Sequence, residues 1–419
     1  MPARHHPFTV GEAKWRPFCT PAAALDMTTR ASPGPQSNKL LGLEIIRFIS
    51  ALAVLGWHYQ HFSYVAGKPV GYMSEHLPFY SVFRLFYDYG FYGVQFFWCI
   101  SGFIFFWKYR EAIASRAVGE KKFFILRFSR LYPLHFATLL LVAALQTAYI
   151  AQQGYSFVYQ NNDLTHFAFH LFLASNWGVM KGPSFNGPIW SISVEVLVYG
   201  FFFLALRYVS KSAWVNVAVL AVCAAAKLAG LTSPIVDCLA FFYVGGLAAM
   251  AFQYLEISRQ KSWAVWVALS VMVLAPVAAY VTGVFRHENL VMGFLFFYVP
   301  ALVYVAARNV PVRPAVQKVI EAAGNMTYSS YLIHFPIQLA IVLYFGHVRE
   351  PIPYESPVFF VAFMGTVLVA SYYIYRLFEM PAQRFIRRRF GRNAIAAARL
   401  DAATPAINSR AAHHSASVQ

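Results

Sequence analysis

The chain has 419 residues, of which 59% are hydrophobic and 12% charged, and a formal net charge of +17. An ordinary soluble domain carries roughly 25% charged residues, so this composition leaves too little polar surface to cover a soluble globule. Cys19, Cys99, Cys223 and Cys238 stand far apart with no CxxC pair, which excludes a disulfide framework and a cysteine zinc site.

Residues 1–38 are polar and lack an apolar h-region, so they are expected to form a flexible cytoplasmic tail and not a secretory signal. A spanning helix needs about 20 largely apolar residues. Such stretches lie near 40–64, 90–108, 131–151, 188–208, 213–231, 235–254, 263–283, 289–307, 325–346 and 357–378. The segment 166–180 is shorter and reads as a re-entrant or interfacial helix. Residues 391–419 are expected to be a disordered cytoplasmic tail. The fold class is therefore all-α: a polytopic membrane helical bundle of about ten transmembrane helices, one domain over 39–390, without repeats.

Lys and Arg set the orientation. With a cytoplasmic N-terminus, 27 of the 34 fall in inner segments and five in outer ones, leaving Arg47 and Lys227 within spans. Both ends are thus expected inside. The charge faces anionic inner-leaflet lipid, most clearly in the run Arg384–Arg392, and does not call for nucleic acid.

An ionisable group inside a span costs about 2.5–3.5 kcal/mol on insertion scales, so each one is a functional candidate with a partner expected. The first span carries Glu44, Arg47 and His58 on roughly one face, with His61 at its outer end. Glu44 and Arg47 also read as a structural ion pair, and His58 as an interfacial histidine. In the fourth span Glu195 is the only carboxylate, and it shares an i, i+4, i+8 face with Ser191 and Tyr199. A structural hydrogen bond is its alternative role. Arg127 and Arg130 lie one turn apart at the cytoplasmic mouth of the third span, where two guanidinium groups suit a phosphate. A lipid anchor fits the same pair. In the ninth span Thr327, Tyr331 and His334 share a face, and His334 also reads as a bundle hydrogen bond. Ser101-Gly102 is mid-span without a GxSxG pattern, and His166 and His170 lack the glutamate of HExxH, so neither a serine nucleophile nor a metal site is expected.

Six ordered blocks resemble the membrane acyltransferase-3 family, over about 38 to 390. They are Leu43-Glu44-x-x-Arg47 followed by His58; Phe97-Trp98-x-Ile100-Ser101-Gly102-Phe103; Arg127-x-x-Arg130-Leu131-Tyr132-Pro133; Trp190-Ser191-Ile192-Ser193-Val194-Glu195; Tyr328-x-x-Tyr331-Leu332-Ile333-His334-x-Pro336; and Glu379-Met380-Pro381. The chain departs from the family at Val196-Leu197, where members commonly carry a second acidic residue or glutamine. Many members also carry a C-terminal SGNH esterase-like domain. Residues 391–419 do not resemble one, so the short form is expected.

The resemblance implies O-acylation of a carbohydrate hydroxyl, as in exopolysaccharide, O-antigen or a glycolipid, from cytoplasmic acyl-CoA, most simply acetyl-CoA, with no tightly bound cofactor and no metal. His58 would be the general base, since an imidazole with an ordinary pKa of ~6.5 suits that role at neutral pH. Glu195 would orient or charge-balance His58, and Arg47 would bind donor or face charge on the thioester carbonyl. Arg127 and Arg130 would hold the donor phosphates, while Trp190, Tyr331 and His334 would line the substrate path. The expected location is the inner (plasma) membrane, multi-pass. The rival reading is a transporter or flippase of a glycan or lipid, which also needs buried charge but no acyl transfer.

Overall fold

In the computed structural model the described residues are 40–255, 262–308 and 312–390. The expected tails, 1–38 and 391–419, lie outside them.

Thirteen α-helices make up the described fold: α1 (Leu41–His58), α2 (Tyr80–Tyr89), α3 (Gly93–Ala114), α4 (Glu120–Gln153), α5 (Leu164–Leu171), α6 (Ile189–Leu204), α7 (Ala213–Leu228), α8 (Pro234–Leu255), α9 (Ser262–Val281), α10 (Glu288–Ala306), α11 (Pro314–Asn325), α12 (Thr327–Val348) and α13 (Pro357–Ile374). Among the described residues eight helical stretches are long and apolar enough to cross a membrane, and α7 and α9 supply two shorter apolar helices. Each of the ten apolar stretches is therefore a helix, but only eight meet the full length and composition of a span. The other helices have separate causes. α2 is joined to α3 through a 3-10 turn over Gly90–Tyr92. α11 is a Pro-initiated helix before α12 and packs on α1. The 166–180 segment yields only the eight-residue α5, begun by the Asp163 carboxylate accepting from the His166 amide.

One departure from all-α is a two-residue hairpin, β1 (Tyr64–Val65) with β2 (Lys68–Pro69), antiparallel. Ala66 and Gly67 turn it with φ of +48° and +80°. Both central residues of such a turn take positive φ.

The core forms where helix backbones approach closely. α3 packs most extensively on α8. A Cβ on Gly102 would strike the Phe242 carbonyl, and one on Gly245 would strike the Cys99 carbonyl. Only glycine permits this spacing in both directions. Around it lie Trp98, Phe103, Phe106 and Phe242, all nearly inaccessible. Lys227, the second in-span cation, pairs with Asp237 at 2.5 Å across α7 and α8, a structural ion pair. α4 packs on α12, and α12 on α1. These three helices and α6 carry the chemistry-bearing residues.

Candidate active site

α1 ends its regular turns at His58 and tightens into a 3-10 turn over Tyr59–Ser63. α12 passes alongside and presents Ser330, His334 and Gln338 at i, i+4, i+8, one face of a helix. His334 Nε2 lies 2.9 Å from His58 Nδ1, with the rings stacked at 4.8 Å between centroids. His334 Nδ1 lies 3.2 Å from the Ser330 carbonyl, which only accepts, so Nδ1 carries the hydrogen. Nε2 of His334 then holds a lone pair and accepts from His58 Nδ1–H. For two neutral rings this hydrogen-bond pattern leaves His58 Nε2 as the basic nitrogen. Among the described residues nothing hydrogen-bonds to it. Gln338 Nε2 donates to the His58 carbonyl at 2.9 Å and fixes the backbone that carries the ring.

Pro336 has no N–H, so the Leu332 carbonyl one turn earlier loses its helical donor. Asn186, fully buried in the loop before α6, donates its Nδ2 to that carbonyl at 2.9 Å. This pins the 152–187 segment against α12 beside His334. Phe157 stacks on Phe335, and Tyr159 meets both Phe335 and His61. His61 is buried with its ring 4.9 Å from that of His58. Val158, Leu173 and Phe185 in this covering segment adopt positive φ, a conformation that costs a non-glycine residue of order 1–3 kcal/mol and concentrates at functional sites.

Deeper in the bundle, α6 contributes Ser191, Glu195 and Tyr199. The Tyr199 hydroxyl donates to Glu195 Oε1 at 2.6 Å, and the Ser101 hydroxyl faces the same carboxylate. Tyr331 donates to the Pro188 carbonyl at 2.9 Å and is 2.7 Å from Ser191 Oγ. Its ring is 6.2 Å from that of His334. Trp98 Nε1 donates to the Ser191 carbonyl at 3.3 Å and meets Trp190 edge-on. Trp190 and Tyr331 thus belong to the wall between Glu195 and the imidazoles. The expectation that Glu195 orients His58 does not match this arrangement: no hydrogen bond joins them among the described residues, and His334 takes that position. Glu195 instead lies in the fields of Arg47 and Arg127.

At the end of the bundle opposite the imidazoles Arg47 is 3.6 Å from Glu44, whose side chain packs on Gly324. The Arg127 guanidinium lies 4.7 Å over the Phe105 ring and donates from Nη2 to the Tyr109 hydroxyl at 2.8 Å. Phe105 in turn stacks on Tyr199. Arg130 shares its field with Arg47 and with Glu379, which accepts from Ser329 Oγ at 2.7 Å. A π-helical turn over Tyr375–Glu379 aims this carboxylate inward.

The side chains therefore form a column: a basic mouth of Arg47, Arg127 and Arg130, then Glu195 with Tyr199, then Tyr331 and Trp190, then the imidazole pair under an aromatic cover. A neutral base at one end and cations at the other suit proton abstraction from a hydroxyl and capture of an anionic group. Gln338, Ser330 and Asn186 are not among the expected site residues, and His61 is expected only at the outer end of the first span. Their one sequence signal was the fourfold spacing of Ser330, His334 and Gln338. Among the described residues no group of three metal-ligating side chains is arranged to hold an ion.

The family model for the acyltransferase domain Acyl_transf_3 matches residues 40–376. No match is found among curated proteins or among solved structures. The match covers the helices that carry the column up to the start of the π-helical turn, and on it this multi-pass membrane chain belongs to the acyltransferase-3 family and is an acyltransferase.

Proposed function

We propose that the protein moves an acyl group, most simply acetyl, from cytoplasmic acyl-CoA to a hydroxyl of a carbohydrate, such as an exopolysaccharide, O-antigen or glycolipid, at the inner (plasma) membrane. The observation that carries this reading is the His58–His334 pair, which leaves His58 Nε2 with a lone pair and no hydrogen-bond partner among the described residues.

The acceptor oxygen forms a bond to the thioester carbonyl carbon while its proton passes to His58 Nε2. The C–S bond then breaks, and the imidazolium returns the proton to the departing CoA sulfur. The products are an ester and free CoA, and His58 ends as it began. Through the transfer His334 keeps the His58 ring in one orientation by accepting from Nδ1–H.

Arg47 belongs to the donor half of the column. It precedes His58 by 11 residues on the same helix, a rise of about 16 Å, too far to meet the oxygen of a thioester carbonyl attacked beside His58. Arg47, Arg127 and Arg130 therefore serve the phosphates of the donor, and the pantetheine arm carries the thioester along Glu195, Trp190 and Tyr331 toward His58. Acceptor entry from the outer side, under the 152–187 cover, follows from this polarity. Anionic lipid faces the remaining basic residues of the inner surface.

The test is transfer of label from radiolabelled acetyl-CoA, in membranes bearing the protein, into a base-labile ester of a glycan or glycolipid pool. Ester formed by the wild type and lost in His58→Ala supports the reading. Ester formation that survives His58→Ala removes the base. Absence of any ester across a range of acyl-CoA donors removes the donor and moves the weight to glycan or lipid transport.

A further inference from the structure

The basic run that begins at Arg384 reads along the sequence as one inner-leaflet anchor, yet one of its arginines is turned to a different use. After the π-helical turn the helix resumes at Met380 and runs to Phe390. Glu379, Gln383 and Arg387 fall at i, i+4, i+8; Glu379 is buried, Gln383 half-buried, and Arg387 is exposed but reaches the bundle through one side-chain bond. Gln383 Nε2 approaches Glu379 Oε1 at 3.4 Å, and Arg387 Nε donates to Ser129 Oγ at 3.0 Å. Ser129 is fully buried on α4, between Arg127 and Arg130, and passes its own hydrogen to the Leu126 carbonyl. The bond therefore draws a third guanidinium into the fields of Arg127 and Arg130. Lys108, exposed on α3, lies in the fields of Arg127, Arg130 and Arg47, with the Glu44 carboxylate as the opposing charge.

Among the described residues no carboxylate accepts a hydrogen bond from Arg127 or Arg387. Arg127 is held by the Tyr109 hydroxyl and by aromatic faces, and its buried Nε has no partner. Cations gathered against their mutual repulsion, with a buried N–H left over, make a site that a multiply charged anion completes. Arg384, Arg387, Arg388 and Arg389 are all exposed, and what sets Arg387 apart is its bond to the buried Ser129, whereas Arg384 approaches the Met380 sulfur.

We infer that Arg387, with Lys108, completes a phosphate site at the cytoplasmic mouth together with Arg127 and Arg130, and that this site holds the nucleotide phosphates of a CoA thioester. The inference rests on the proposed acyl-CoA donor. It separates the C-terminal run into one donor-binding arginine and several membrane-facing ones. An anionic lipid headgroup offers the same phosphate chemistry, so the experiment must distinguish the two sources.

The protein is reconstituted in phosphatidylcholine vesicles with and without phosphatidylglycerol, and initial rates are taken with acetyl-CoA and with S-acetyl-pantetheine, which lacks the phosphates. Arg387→Ala is expected to raise KM for acetyl-CoA about tenfold, with kcat within about twofold and no change with S-acetyl-pantetheine. Arg387→Lys should lie between wild type and alanine, and Arg388→Ala should behave as wild type. An equal rise in KM for both donors, or a defect seen only when phosphatidylglycerol is present, overturns the inference in favour of packing or of lipid. Equilibrium dialysis of CoA against wild type and Arg387→Ala reads the site without turnover. Weaker binding by the variant supports it even if no acyl transfer is found, and equal binding overturns it even if transfer is robust. Absence of transfer by the wild type with either thioester would instead remove the proposed function.

Discussion

His334 Nε2 and His58 Nδ1 lie 2.9 Å apart, and between two neutral rings this bond runs from His58 Nδ1–H to His334, whose own Nδ1 faces the Ser330 carbonyl. A carboxylate in the same place would bring a second buried charge into an apolar bundle, at a cost of several kcal/mol unless fully compensated. A neutral imidazole orients the base without it. When His58 Nε2 gains a proton its Nδ1–H becomes a stronger donor, and His334 relays the polarisation to the Ser330 carbonyl.

His58→Ala is expected to lower kcat by about 10²–10⁴, the usual contribution of a positioned general base. His334→Ala removes only the group that orients it, so a smaller loss, about 10–10²-fold, is expected with donor KM unchanged. Steady-state rates with varied acetyl-CoA separate the two. Equal losses in the two variants would place His334 among the reacting groups, and an unaffected His334→Ala would sink the orienting role.

The helices were legible because a long apolar run has few other uses, and the residues expected in the column were legible because charge inside such a run is costly. Their pairing was not. His58 and His334 are 276 residues apart, and nothing in either segment states that α1 and α12 touch. Glu195 was assigned to His58 as the obvious carboxylate, whereas Tyr199, one turn away on its own helix, holds it. Gln338 and Asn186 are uncharged, so a search for ionisable intruders passes over them. Arg387 was hidden among like neighbours, and only its bond to Ser129 on α4 distinguishes it.

Asn186→Ala leaves the Leu332 carbonyl without the donor that replaces the missing Pro336 N–H. A buried acceptor left unsatisfied costs about 1–3 kcal/mol. Pro336→Ala restores an N–H to that carbonyl, so the double variant Asn186→Ala/Pro336→Ala is expected to be more stable than Asn186→Ala alone. A coupling of about 0.5–3 kcal/mol is the expected range for groups in contact. Thermal unfolding in detergent measures all three variants, and strictly additive losses would show that Asn186 acts elsewhere.

The 152–187 segment should weaken in acid through His170. This residue lies on α5, outside the eight long apolar helices, and burial together with the neighbouring His135 and His166 lowers its pKa to about 3. Its Nε2 meets the Ser184 hydroxyl at 2.9 Å, while Asp163 is taken by His166. The folded pKa lies below the ordinary ~6.5 of the unfolded chain, so the unfolded state binds the proton first. The stability is complete above about pH 6.5 and is lost as pH falls toward about 3, by at most about 1.4 kcal/mol per pH unit for this one group. His170→Gln removes the titration and should flatten that part of the curve. Unfolding midpoints between pH 7 and pH 4 test it, and an unchanged slope in the variant would assign the acid sensitivity to other groups.

The glycine contact between α3 and α8 reaches the site through Ser101. Gly102 faces the Phe242 carbonyl and Gly245 faces the Cys99 carbonyl, with backbone on both sides and no flexible side chain to yield. Gly102→Ala or Gly245→Ala therefore forces the two helices apart, and overpacking of this kind costs about 1–3 kcal/mol. The shift acts on Ser101, the residue next to Gly102, whose hydroxyl faces Glu195 and Tyr199. Both variants should thus lower the melting temperature and also reduce acyl transfer, although neither glycine touches the column. Gly200 on α6 is the control: a Cβ there meets nothing within 4 Å, so Gly200→Ala should retain both stability and activity. A Gly102→Ala protein as stable and active as wild type would mean that α3 and α8 can separate freely, and the close approach would then have no part in holding Ser101 against Glu195.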